Sequence, residues 1–407
     1  MCYSAAAIKF PDCQDRKSKH MPESPSDADM APSLELVEVS NPFDFNKLIN
    51  LPRYIYRDDR AWVPPLYVER MLHFSRFNPY FEHAEWQAWM VYRDGQPAGR
   101  ISAQVDRLHR ERYGADTGHF GLLDAVDDEN VINTLVTTAE KWLHRRGARQ
   151  ITGPMTFSVN QECGLLVDGF EKPPVVMMPH SSPWLGPALE NLGYDKATDL
   201  YAYWVDVEFE VPRVMSSLTR RYQDSVQMRT LNRADFKSEM AILMDLFNDA
   251  WSENWGFVPF TEAEFKELGN SLRLVVPDEY IHIAEIDSEP VAFIAGLPNL
   301  NEIIREFDGK LLPGGWLKLI RGLKPGGVST GRVPLMGVRK KYQNRPIGMA
   351  LAFLTIDALR TQLTARGVKE VEMSWILEDN SGMRNILDAI GSDLYKTYRL
   401  YQKTLAD

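Results

Sequence analysis

The stretch "PLMGVRKKYQNRPIGMALAFLTIDALRTQLTARGVKEVEMSWILEDNSGM", Pro334–Met383, decides the fold. An apolar run gives way to a basic, polar turn over Arg339–Arg345, and a helix carrying Gly348 and Ala350 starts at once. A second apolar run then stops at Asn380. A strand that hands over to a helix through such a turn gathers unpaired N–H groups and the positive helix end at one point. That is an anion cradle suited to a phosphate. Gly348 allows close backbone approach, small Ala350 leaves room for a bulky ligand, and Arg339, Lys340, Lys341 and Arg345 add charge-assisted donors. Pro346 is tolerated at the first helical position, where an N–H has no intrahelical partner.

Outward from this stretch, the same order of elements occurs twice. "WMVYRDGQPAGRISAQVD" (Trp89–Asp106) reads as strand, turn at Asp94-Gly95 and strand, and "IHIAEIDSEPVAFIAGL" (Ile281–Leu297) repeats it with a turn at Asp287-Ser288. Val131, Leu135, Val136, Ala139 and Leu143 recur at helical spacing before Gly147, as the helix of the opening stretch does before Gly367. Each half closes with a short helix and a final strand, so features recur at an offset of roughly 200 residues, far beyond a solenoid period. The prediction is a duplicated α/β domain, each copy a mixed sheet with helices on its faces, joined near Glu210–Ser217.

Composition bounds the function. At 407 residues, 44% hydrophobic and 25% charged, the chain suits a soluble two-domain protein. A net charge of -10 argues against nucleic-acid binding, which needs a basic face. Cys2, Cys13 and Cys163 form neither a disulfide framework nor a zinc pattern, which predicts a reducing compartment and no metal. No run approaches the ~20 apolar residues of a membrane span, and the N-terminus lacks an uninterrupted signal-peptide core, so a cytoplasmic location is expected. The polar, proline-rich "SKHMPESPSDADMAP" (Ser18–Pro32) predicts a disordered tail over 1–33.

"RPIGMA", Arg345–Ala350, resembles the (Q/R)xxGx(G/A) signature of the GNAT superfamily of N-acetyltransferases, which bind the pyrophosphate of an acyl-coenzyme A there. "VPLMGV" resembles the family's bulged central strand, and "EVEMSWILEDNSGM" its splayed neighbour. The resemblance implies two tandem GNAT-like domains with mixed central sheets flanked by helices. It implies acyl-coenzyme A binding by Met336, Gly337, Val338, Arg339, Asn344, Arg345, Pro346, Ile347, Gly348, Met349, Ala350 and Asn380. From "FDFNKLINLPRYIYRDDRAWVPPL" onward, the chain also resembles a bacterial family of tandem acetyltransferase-like proteins that includes the bacterial ceramide synthases. Those acylate a sphingoid-type amine from an acyl-coenzyme A.

The halves differ. Where the second has RxxGxA, the first has Asp124, Asp127, Asp128 and Glu129, which satisfy a helix dipole themselves and repel a nucleotide. Residues 34–212 are therefore expected to be a degenerate domain forming one wall of the acceptor site, and 213–407 the acyl-coenzyme A-binding domain. A tyrosine that many family members carry seven residues after the asparagine is Leu387 here, which leaves Tyr395, Tyr398, Tyr401 or water to protonate the leaving thiolate. Glu378, Glu253, His282 and Glu285 are candidate acceptors of the amine's proton, with Glu378 favoured for its place at a strand end. Glu253 lies among Trp251, Trp255, Phe257 and Phe260, either a core plug or an acceptor pocket. An insertion over 298–330 places Leu311, Leu312, Trp316, Leu317, Leu319, Ile320 and Leu323 among Lys318, Arg321 and Lys324. It reads as a cover over an apolar tunnel, a peripheral contact of 311–323 with the inner membrane, or a helix packed on its own domain. Three functions compete: acylation of a long-chain amine, acetylation of a small metabolite or peptide amine, and a non-catalytic acyl-coenzyme A sensor. Transfer from aminoacyl-tRNA is disfavoured by the acidic charge.

Overall fold

The computed structural model describes residues 33–405, so the tail expected over 1–33 lies, apart from Ser33, outside the described residues. Among the described residues thirteen strands occur, beginning with β1 (Leu34–Glu38), β2 (Ala84–Arg93), β3 (Gln96–Asp106), β4 (Thr117–Ala125), β5 (Gln150–Gly153), β6 (Leu165–Asp168) and β7 (Asp195–Asp206). They continue as β8 (Gln227–Thr230), β9 (Ile281–Ile286), β10 (Glu289–Pro298), β11 (Thr330–Val338), β12 (Glu370–Leu377) and β13 (Asp393–Thr404). The helices before the junction are α1 (Pro42–Ile55), α2 (Tyr67–His73), α3 (Arg107–Tyr113), α4 (Glu129–His144) and α5 (Leu185–Asn191). Beyond it come α6 (Arg213–Tyr222), α7 (Phe236–Ala250), α8 (Glu262–Leu272), α9 (Asn301–Ile304), α10 (Gly315–Gly322), α11 (Pro346–Ala365) and α12 (Ser381–Ala389).

The repeat is visible in the local chemistry. Asp94 and Gly95 both have positive φ, as do Asp287 and Ser288, so both hairpins turn through two left-handed residues whose twist matches the strands they join. The helix α4 buries Val131, Leu135, Val136, Ala139 and Leu143, the face expected from their spacing, against β3 and β4. Gly147 and Gly367, at φ +81° and +83°, end α4 and α11, and the residue after each donates back to Leu143 and Leu363.

All strands but β6 lie on one path: β1-β2-β3-β4-β5-β13-β7-β12-β11-β10-β9-β8. The expected final strand of each half is present, but the two are exchanged. The last strand of the chain, β13, pairs with β5 of the first half, while β7 pairs with β12 of the second. They also pair antiparallel with each other from Asp393↔Trp204 to Gln402↔Asp195. Period-2 patterning identifies a strand without identifying its neighbour, which is why the exchange escapes the sequence.

The insertion packs on its own surroundings. Leu319 and Leu323 join Val63, Ile303, Ile304 and Val328, while Trp316, Leu317 and Ile320 face outward.

Candidate functional site

Two register features open the sheet. Between Ala295↔Leu335 and Leu297↔Arg332, β11 advances three residues while β10 advances two, a bulge at Val333–Pro334. The parallel pairing of β11 with β12 ends at Val333↔Met373, so from Pro334 onward the two strands separate. Beside the opening, β11 leads through a short turn into α11. Arg345 is the N-cap residue in extended conformation, Pro346 follows it, and no side chain caps the helix. Pro346 has no N–H and Gly348 N–H turns back to Arg345 O at 3.0 Å, which leaves Ile347 N–H as the first-turn donor without a cap.

The basic residues of the turn are not equivalent. Arg339 pairs with Asp245 at 2.5 Å, Lys340 with Glu253 at 2.7 Å and Lys341 with Glu289 at 2.6 Å. The exposed Arg345 guanidinium alone among these four has no carboxylate partner among the described residues. Gly348 meets the backbone of its own turn: a Cβ there would strike the Tyr342 carbonyl, so glycine seats the helix on that turn. Asn380 caps α12 by accepting from Met383 N–H at 3.1 Å, and Leu387 is fully buried in the core.

In the first half the same elements are closed. A bulge at Leu122–Leu123 matches that of β11, but Met155 N–H donates to Phe120 O at 2.8 Å and continues the pairing past β5. Asp128 caps α4 by accepting from Asn130 N–H at 2.8 Å and pairs with Arg93 at 2.5 Å. Asp124 is not at the helix start. It is buried beneath α1, bound by Arg100 at 2.7 Å and by the Tyr56 hydroxyl at 2.5 Å.

The proposed bases have structural partners. Glu378 accepts from Lys196 at 2.6 Å and from Asp199 N–H at 3.2 Å, tying β12 to β7. Glu253 is an exposed partner of Lys340, whose hydrogen bond and charge lower its carboxyl below the ordinary value. Its aromatic neighbours Trp251, Phe257 and Phe260 are a core plug around Phe247 and Phe293. Glu285 is bound by Arg229 at 2.6 Å, and buried His282 lies on β9, separated from the opening by β10. Glu378, Glu253 and Glu285 are thus each held by a cationic side chain, and His282 stands apart from the opening on β9. Of the tyrosines, Tyr401 donates to Glu190 at 3.2 Å, and Tyr398 is buried without a hydroxyl partner.

Tyr395 leads to residues that sequence reasoning missed. Its hydroxyl donates to Glu372, as does that of Ser374, while burial and then the Glu372 charge raise its own ionisation far above the ordinary value. Arg332, 2% exposed, lies 3.8 Å from Glu372, donates to Ser374 Oγ at 3.0 Å, and holds the carbonyls of Val176 and Met177 at 3.1 Å. This cluster flanks the last β11–β12 pair on the face opposite α11, and a first-half segment covers it. Alternation in "EVEMSW" assigns Glu372 and Ser374 to a polar face that local sequence reads as solvent. Beside them, Lys396 is fully buried, its Nζ has no hydrogen-bond partner, and burial lowers it to about 8 against the raising effect of Glu372 and Asp59.

The chain is 50% identical over 366 residues to Protein YghO of Escherichia coli (strain K12), spanning 90% of this chain and 94% of that protein. It is 41% identical over 388 residues to the bacterial ceramide synthase of Caulobacter vibrioides (strain NA1000 / CB15N), spanning 95% of this chain and 100% of that protein. The chain belongs to the bacterial ceramide synthase family. No family model matches the sequence. A tandem GNAT protein from the clavulanic acid biosynthesis pathway superposes over 92% of this chain and all of its own, with 14% identity and a TM-score of 0.55. The GCN5-related glucosamine N-acetyltransferase region of a fungal multi-domain GH3 β-N-acetylglucosaminidase superposes over 93% of this chain and 39% of that larger one, with 14% identity and a TM-score of 0.57. This chain has the tandem GNAT fold and is an acyltransferase.

Proposed function

We propose that the chain transfers an acyl group from an acyl-coenzyme A to a long-chain, sphingoid-type primary amine. One observation carries the donor assignment: β11 and β12 part beside an uncapped helix start with an unpaired Arg345, while their first-half counterparts are closed. On this reading 213–407, with the insertion 298–330, holds the coenzyme, and 34–212 binds none and walls the acceptor. The pyrophosphate lies at the α11 N-terminus against Arg345, and the acyl-bearing arm lies along β11 between Pro334 and Val338. The neutral amine attacks the thioester carbonyl carbon. A C–N bond forms, the C–S bond breaks, and the proton that the amine gives up passes through water to the departing thiolate, which leaves as coenzyme A thiol.

Two features support a lipid acceptor. One is the name of the Caulobacter relative. The other is an apolar surface, with Leu312 76% exposed and Leu317 52% exposed beside Trp316 and Ile320, next to Arg321 and to Lys310 and Lys318, which pair with Asp308 and Glu306. The α2 segment adds exposed Leu72 and Phe77, and it joins the insertion where Tyr67 N–H donates to Gly309 O at 3.2 Å. No helix among the described residues is long and apolar enough to cross a membrane. This surface suits peripheral contact with an anionic bilayer.

The test is release of coenzyme A thiol from palmitoyl-CoA and acetyl-CoA, with and without sphinganine. Release from palmitoyl-CoA that depends on sphinganine is expected. Equal or better use of acetyl-CoA with a short amine would favour small-amine acetylation. Binding of acyl-CoA without release to any amine would favour a sensor.

A further inference from the structure

A cavity of about 160 Å³ lies in the first half, beneath α1 and the segment that leads into α2. It is about five waters in size, room for a group of a few heavy atoms but not for a long alkyl chain. Its wall includes Tyr56, Asp124, Arg100, Arg70, Glu162 and His180. Most of these are bound to one another: Asp124 to Arg100 and Tyr56, and Glu162 to Arg70. His180 is the exception. Its Nε2 lies 2.7 Å from Asp59 Oδ2, its side chain is 3% exposed, and its Nδ1 has no hydrogen-bond partner.

The carboxylate fixes the tautomer. With Nε2–H donating to Asp59, Nδ1 is an acceptor, and a buried acceptor without a donor is costly. Burial lowers the protonation of His180 below the ordinary value, and the Lys396 charge acts the same way. Asp59 and Asp124 oppose this and Tyr56 packs edge-on at 5.5 Å, so the ring is neutral near pH 7. Arg70 and Arg100 are engaged by Glu162 and Asp124, and Asp59 by His180 Nε2, so His180 Nδ1 is the wall atom left to meet a donor.

Placement ties the cavity to the reaction. Its Met177–His180 wall is the segment that Arg332 holds by the carbonyls of Val176 and Met177, and Met178 Sδ lies 3.4 Å from Ser374 Oγ at the parting of β11 and β12. Its lining also includes Val63 and Pro65, which lead into α2 and its exposed apolar residues, and Asn301 of the insertion. A long-chain amine lying between these surfaces brings its polar end here.

We propose that this cavity binds the polar end of the amine acceptor, an ammonium or amine flanked by hydroxyl or carbonyl oxygens. An N–H or O–H of the ligand donates to His180 Nδ1, and Asp59 positions the ring. The inference rests on the acyl-transfer reading above for the ligand's role, but not for the existence of the site. The test compares sphinganine with octadecylamine, which has the amine and chain but no oxygens, as acceptors from palmitoyl-CoA. The full chain and its His180→Gln and Asp59→Asn variants are used.

The intact protein is expected to favour sphinganine in kcat/KM by about tenfold or more. Each variant brings that ratio toward one by raising KM for sphinganine while KM for palmitoyl-CoA stays unchanged. Asp59 is partly exposed, so its variant keeps the test alive where His180→Gln does not fold. An unchanged ratio in a folded, active variant overturns the proposal. In a second arm, the ring resonances of ¹⁵N-histidine-labelled protein are followed as 2-amino-1,3-propanediol is added, with His180 assigned from its variant or, where that variant does not fold, from the resonance that Asp59→Asn displaces. Movement of His180 without turnover by the intact protein would sink the acyl-transfer reading and keep the site. Turnover with a motionless His180 at saturating probe would sink the site and keep the reading.

Discussion

Arg345 and Gly348 stand three residues apart in one motif, yet the structure gives them different work. Gly348 is required by the Tyr342 carbonyl, so any larger residue there disrupts the turn before a ligand is involved. A test at Gly348 would therefore confound binding with folding. Arg345 is the cleaner probe, because its guanidinium is exposed and uncommitted. Arg345→Ala is expected to weaken coenzyme A binding about five- to twentyfold with an unchanged melting temperature. Lys341→Ala, which breaks an exposed pair with Glu289, should change it less than about twofold. Calorimetric titration distinguishes the two, and equal effects would remove Arg345 from its special role. Lys396 gives a prediction in pH. Its folded value is depressed to about 8 from an ordinary 10.5, so the unfolded chain binds the extra proton between these values. The stability that this group confers is then present above 10.5 and is lost as pH falls toward 8. Lys396→Met should raise stability at pH 7 by up to about 3 kcal/mol and flatten the rise between pH 8 and 10. Urea titrations across that range measure it; a variant less stable at pH 7 would mean that the ammonium is compensated. Neither Lys396 nor Glu372 was legible in the sequence, since a charged residue on an alternating strand reads as solvent-facing until the covering segment is known.

Among the elements, those whose meaning is local were read correctly and those defined by a partner were not. The hairpins at Asp94-Gly95 and Asp287-Ser288, the α4 face and the ends at Gly147 and Gly367 are each decided within a few residues. The insertion is the contrary case, since its leucines and tryptophan fit a cover, a membrane contact or a packed helix equally well. In the fold it divides them: Leu319 and Leu323 pack inward, and Trp316, Leu317 and Ile320 stay outside. The outward face gives an element-scale prediction. A Trp316→Ser, Leu317→Ser variant should lose about tenfold or more in binding to phosphatidylglycerol vesicles, because two large apolar side chains no longer enter the interface. Its melting temperature should stay within a few degrees, since neither residue is in the core. Vesicle sedimentation at low and at 0.5 M salt reads both the apolar and the ionic share. Unchanged binding by the variant would remove α10 from the membrane surface.

The scale of the whole molecule is where the exchanged strands matter. A duplicated sequence suggests two domains that stand alone, but each central parallel pair is completed by a strand from the other half. The closing strand β13 fills the space between β5 and β7 and also pairs with β6, all of the first half, although it is the last element of the chain. Its Leu400 and Tyr398 are fully buried with Met155, Cys163 and Leu166, and its Tyr401 joins the core that holds α4. Ending the chain at Gly391 would strip the edges of β5, β6 and β7 and expose that apolar surface. The expected result is loss of the cooperative thermal transition for the entire protein, rather than a first half that melts normally beside a damaged second. A truncated chain over 34–209 should likewise fail to fold alone, because β5 and β7 then face empty space where β13 belongs. Co-expression with 210–407 should restore a soluble complex that elutes at the mass of the intact protein. The deciding measurement is scanning calorimetry of the intact chain, the chain ending at Gly391 and the co-expressed pair. One transition in the first and third and none in the second is expected. A normal, separate transition for residues 34–209 alone would show that the first half is self-sufficient, and the exchange would then be a junction between two finished domains.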